Sequence, residues 1–181
     1  MKREAGFTLT ELMVTLTIVA ILMGIGVPSY KYVTNSDRVS SEINGLLGDL
    51  QFARAEAIRE GQTVTVCPAA DTTYSSCAAS AATWDTGWLV WADLNSSGDL
   101  DSTGEILRVQ QAFKSKDTLA SNATVNAITF NREGFAAGIG NATAFTLKDS
   151  TANEKYTRCL TLQLTGLMAT ATNASDPTNC N

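Results

Sequence analysis

From Phe7 to Val27 the chain runs through apolar and small residues with Glu11 as its only charged side chain. As a helix this run would extend roughly 30 Å, the thickness of bilayer hydrocarbon, so it can cross a membrane. A carboxylate inside such a run costs about 3 kcal/mol near the helix centre and less towards its end, so a plain anchor has no reason to carry one. Lys2 and Arg3 precede the run. That basic flank predicts a cytoplasmic N-terminus and places everything after residue 28 on the far side, the periplasm in a bacterium.

An ordinary cleaved signal peptide would end near Gly24-Ile25-Gly26. The helical pattern continues past that point. Val39, Ile43, Leu46, Leu47, Leu50, Ala53, Ala57 and Ile58 recur at steps of three and four, and Ser40, Asn44, Asp49, Gln51, Glu56 and Arg59 fill the other faces. Gly61 is placed to end the helix. The apolar run and the amphipathic run therefore predict one helix of roughly 80 Å. Within it, Gly24, Gly26 and Pro28 predict a soft or kinked joint, since glycine costs about 1 kcal/mol and proline about 3 kcal/mol in a helix interior.

Beyond Gly61 the pattern changes period. Thr63 to Val66, Leu107 to Val109, Ile128 to Phe130, Phe145 to Leu147 and Leu160 to Leu164 alternate apolar with polar residues, as half-buried strands do. Turn-rich segments separate them, including 69–83 and 173–181. The expected fold is α+β, a long N-terminal helix packed on a C-terminal antiparallel β-sheet domain. Four cysteines in an exported domain predict two disulfides, and of the three arithmetical pairings the sequence neighbours Cys67 with Cys77 and Cys159 with Cys180 are expected. The chain has no histidine and a net charge of −5. It lacks the commonest general base and metal ligand, and it has no run of basic residues to meet phosphate. No enzyme site, cofactor or nucleic-acid surface is expected.

The leader Lys2-Arg3-Glu4-Ala5, then Gly6, then Phe7-Thr8-Leu9-Thr10-Glu11-Leu12, resembles the class III signal of type IV pilins and type II secretion pseudopilins. The resemblance implies that a prepilin peptidase cuts after Gly6 and methylates the new amine of Phe7, and that Glu11 meets the terminal amine of a neighbouring subunit in the growing filament. It also implies a division into leader (1–6), transmembrane and filament-core helix (7–28), amphipathic helix half (29–60) and β-rich periplasmic or surface domain (61–181). The implied partners are inner-membrane lipid before assembly, an inner-membrane assembly platform and other pilins. The implied location is the bacterial inner membrane and then a pilus or pseudopilus.

Arg54-Ala55-Glu56-Ala57-Ile58, followed by Gly87-Trp88-Leu89-Val90-Trp91-Ala92-Asp93-Leu94-Asn95, is similar to the GspH/FimT branch of minor pilins and pseudopilins. A minor pilin that initiates or caps a type IV pilus is the reading this supports, with a GspH-like pseudopilin of a type II secretion system as the alternative. Some relatives bind DNA through arginines near the C-terminus; the comparable stretch here, Thr165-Gly166-Leu167-Met168-Ala169-Thr170, has none, which disfavours DNA. Asp93, Asn95, Ser97 and Asp101 stand at the first, third, fifth and ninth positions of a calcium-loop pattern. Glu105 comes one residue too late for the twelfth, so a strand-connecting turn is expected rather than a metal site.

Overall fold

A computed structural model describes residues 6–79, 83–95, 97–122, 124–140, 142–178 and 180, leaving the leader positions 2–5 outside the described residues. Helix α1, Leu9–Glu60, is 52 residues long and unbroken at Gly24, Gly26 and Pro28. Thr8 opens it: the Thr8 hydroxyl accepts from the Glu11 N–H at 3.3 Å, satisfying one of the donors that every helix start leaves free. Gly61, at φ +69°, closes it by donating its N–H to the Ala57 carbonyl at 3.0 Å.

The chain divides into two compact units, Met1–Asp37 and Arg38–Asn181. The second, the head, holds the later part of α1 and, among the described residues, nine strands. These are β1 (Val64–Pro68), β2 (Gly87–Ala92), β3 (Ile106–Gln111), β4 (Thr118–Ser121), β5 (Ile128–Phe130), β6 (Ala136–Ala137), β7 (Ala142–Lys148), β8 (Arg158–Gln163) and β9 (Met168–Thr172). One sheet has the order β3-β2-β1-β5-β6 and the other β4-β7-β8-β9, and every pair is antiparallel.

Both sheets contribute to a single core built on α1. Val39, Ile43, Leu46, Leu50, Ala53 and Ala57 are buried in it together with Val66, Trp84, Trp88, Phe130, Phe145 and Leu160. Each large aliphatic on that stripe contributes about 1.5–3 kcal/mol by burial. Ile58, which the periodicity assigned to the same stripe, is 51% exposed and is corrected to a surface residue. It lies one position past Ala57, about 100° round the helix, so both cannot face the core.

Strand β1 corrects a second expectation. It is buried at every position instead of alternating, because both faces of its sheet are covered. Val64 and Val66 join the helix-facing core, while Cys67 joins Leu89, Trp91 and Ala69 in a smaller cluster on the other face. The Cys67–Cys77 disulfide holds the 69–79 loop over that second face, and Cys159–Cys180 ties the C-terminal tail to β8.

Candidate assembly site

The first unit presents a helix with no buried residue from Phe7 to Val27; Phe7 itself is 80% exposed. Each exposed leucine, isoleucine, valine or methionine forfeits its burial energy in water, so this surface needs lipid or other helices around it. Its hydroxyls are already satisfied. Thr15 and Thr17 donate to the Leu12 and Met13 carbonyls at 2.9 and 2.7 Å, so neither hydroxyl is stranded in an apolar surround. Glu11 is the exception. It sits in the first turn, and among the described residues no side chain pairs with its carboxylate. Gly6 and Phe7 lie immediately ahead of the helix. The Thr8-x-x-Glu11 spacing is also that of a helix-capping pair, a signal legible in the sequence but passed over there.

The residues that carry the branch resemblance turn out to build the head. Arg54 lies on α1 and donates to three carbonyls: Nε to Gly134 at 3.0 Å, Nη1 to Gly166 at 3.1 Å and Nη2 to Thr165 at 3.3 Å. It thereby joins the turn after β5 to the turn between β8 and β9. Gly166, at φ +74°, cannot take a side chain there, because a Cβ would run into the Gly134 carbonyl and the Arg54 guanidinium. Arg54→Ala strands these acceptors in a half-buried seam. It should cost about 2 kcal/mol in a denaturant titration, with Arg54→Lys recovering less than half because an ammonium cannot span the same three oxygens.

Trp88 works the same way from β2. Its indole N–H donates to Asp49 of α1 at 2.9 Å, and Asp49 also pairs with Arg108 of β3 at 3.3 Å. The Arg108 guanidinium lies 3.6 Å over the Phe52 ring. Helix and sheet are thus keyed together by two charges and two aromatic rings.

The loop after β2 turns its acids onto its own backbone. The Asp93 carboxylate accepts from the N–H groups of Ser97 and Gly98 at 3.0 and 2.9 Å. Asn95 donates to Asp101 at 2.8 Å, and that hydrogen bond, with one from Ser97, holds Asp101 below the usual carboxylate range. Glu105 accepts from the Asp101 N–H at 3.0 Å. Among the described residues no cluster of three metal-ligating side chains occurs. The arrangement is a satisfied turn. A groove of about 610 Å³ beside it is lined by Gln62, Thr65, Trp91, Asp93, Asn131 and Arg132 among others.

The stretch 165–170 forms the β8–β9 turn and the start of β9. The cation that reaches it is Arg54, whose guanidinium is turned onto backbone carbonyls and not outward.

Comparison with known proteins follows this division of the chain. Residues 1–27 match the prokaryotic N-terminal methylation motif. The fold is similar to two crystal forms of the type IV minor pilin FimU of Pseudomonas aeruginosa. One is 20% identical, with a TM-score of 0.56 over 79% of this chain and 98% of that one. The other is 17% identical, with a TM-score of 0.56 over 85% of this chain and 98% of that one. No curated protein matches significantly. Residues 42–166, from the first head turns of α1 to the Arg54-bound glycine, match the family described as type II transport protein GspH, and the chain belongs to that family.

Proposed function

We propose that the chain is a minor pilin, a structural subunit whose exposed helix enters the filament core and whose head is presented at the fibre's surface or tip. The observation that carries this reading is the pairing of a 52-residue helix, bare of burial over its apolar start, with a methylation motif at the same end. Prepilin peptidase acts after Gly6 and methylates Phe7, the helix waits in inner-membrane lipid, and the assembly platform delivers it to neighbouring pilins. Glu11 supplies the charge that the new terminal amine of a neighbour meets. Gly24, Gly26 and Pro28 let the helix soften inside the fibre, where crowding by neighbouring helices replaces lipid. The likeness in fold to a type IV minor pilin favours a place in a type IV pilus, where we assign the chain to initiation or capping, and DNA uptake is disfavoured by the arginine-free turn at 165–170.

The family description favours a second reading, a pseudopilin of a type II secretion machine. Deletion of the gene separates the two: loss of surface fibres supports the first and loss of secreted exoproteins the second. Mass spectrometry of the chain purified from membranes tests what both share. The expected N-terminus is methylated Phe7; a start near Val27 would mark a cleaved signal peptide and end both readings.

A further inference from the structure

Where α1 enters the head, one guanidinium faces more carboxylates than it can neutralise. Arg38 binds Asp117 with both arms, Nε to Oδ2 at 2.8 Å and Nη2 to Oδ1 at 3.0 Å. The Asp117 side chain is completely buried and accepts in addition from the Ser150 N–H at 3.1 Å. One turn along α1 from Arg38, Glu42 accepts from the Ser115 hydroxyl at 3.1 Å through Oε1, while its Oε2 is buried with no hydrogen-bond partner. Asp149, after β7, adds a third carboxylate to the field at Arg38, but its oxygens are taken by the Thr151 hydroxyl and the Asn153 N–H at 2.6 and 2.9 Å. Lys114 and Lys116 are exposed, half-buried Lys148 makes no ion pair among the described residues, and Arg158 donates to Ser40 and to the Lys155 and Thr157 carbonyls.

We propose that Glu42 and Asp117 share one proton, and that loss of this proton unlatches the first head turns of α1 from the 113–117 loop. An ionised Glu42 can offer the buried Asp117 only repulsion, whereas a protonated one can donate from Oε2 to an Asp117 oxygen and so give Oε2 the partner it lacks. Burial first, and then the charge of Asp117, push the Glu42 carboxyl up to about 7. Burial opposes ionisation of Asp117 as well, but the hydrogen bonds and charge of Arg38 hold it below its ordinary value. The sign follows from linkage. A carboxyl raised in the folded state favours folding below its unfolded value and loses that contribution as pH rises through 7, while the lowered Asp117 loses its contribution only in strong acid. The latch is closed in mild acid and released at neutral pH and above, the range through which a periplasmic head passes when the medium changes.

Hydrogen exchange on the full mature chain in detergent micelles tests this, with residues 38–46 compared against β8 as an internal reference at pH 5.5 and 8, each corrected for the intrinsic rate. The 38–46 amides should open about tenfold more at pH 8, a figure set below the full linkage of the shift because Glu42 is only half-buried. Glu42→Gln carries a permanent donor towards Asp117 and should hold protection high at both pH values. The proposal is overturned if the wild-type ratio stays flat between the two pH values, or if Glu42→Gln opens with the same pH dependence as wild type.

Discussion

Trp88→Ala should lower the free energy of unfolding by about 4 kcal/mol, among the largest losses available to a single head substitution. Trp88 is fully buried between α1 and the five-stranded sheet, with its ring meeting Phe113 edge-on at 6.0 Å. Deleting a buried tryptophan or phenylalanine side chain costs about 3–5 kcal/mol, because the cavity left behind collapses only partly. Asp49 would also lose its 2.9 Å donor and keep only the longer contact to Arg108. Trp88→Phe separates the two contributions. It retains most of the packing and removes the N–H, so it should cost about 1–2 kcal/mol. Denaturant titration of both variants measures this. A loss for Trp88→Ala below about 2 kcal/mol, short of what a buried aromatic deletion costs, would mean that helix and sheet are held together elsewhere.

Trp88 also illustrates what could be read in advance. The stretch from Gly87 to Asn95 stood out only as a family resemblance and was not expected as strand β2, whereas the three-and-four spacing from Val39 to Ala57 marked the helix face it meets. Asp49 could be placed on a polar face of that helix, but nothing in the sequence joins it to Trp88, which follows it only after a long interval of chain. Arg54 is a stronger case. Its stretch from Arg54 to Ile58 was legible as a family signature, yet its partners are backbone carbonyls in two distant turns, and backbone groups carry no side-chain signal. Strands β4, Thr-Leu-Ala-Ser, and β9, Met-Ala-Thr-Ala-Thr, escaped notice because alanine and threonine blur the alternation that reveals a strand, and β6 is only two residues long. The charge latch escaped for the same reason as the Arg54 seam. Arg38 and Glu42 are one turn apart and could be paired by eye, but the acid that unbalances them, Asp117, comes from a loop far along the chain.

Glu11→Ala is expected to reduce the chain's share in sheared filaments at least tenfold relative to the membrane fraction, while the head unfolds at the same denaturant concentration as wild type. Opposite charges about 4 Å apart gain about 4 kcal/mol at an effective dielectric near 20, and a desolvated amine left without a partner costs several kcal/mol. A loss of about 1.4 kcal/mol per insertion already gives a factor of ten. The head is expected to be unaffected because Glu11 belongs to the other compact unit. Alanine alone would not isolate the charge, since it also removes the side chain's hydrogen-bonding capacity at the helix start, while the Thr8 hydroxyl keeps its bond from the backbone N–H of residue 11 in either variant. Glutamine does. It keeps the size and hydrogen-bonding capacity of the side chain and carries no charge, so Glu11→Gln should fail nearly as badly as alanine if the carboxylate serves a neighbour's amine. Restoration by glutamine would instead assign Glu11 to the start of its own helix, and the filament would have to be held by apolar packing of the Phe7 to Val27 surface alone.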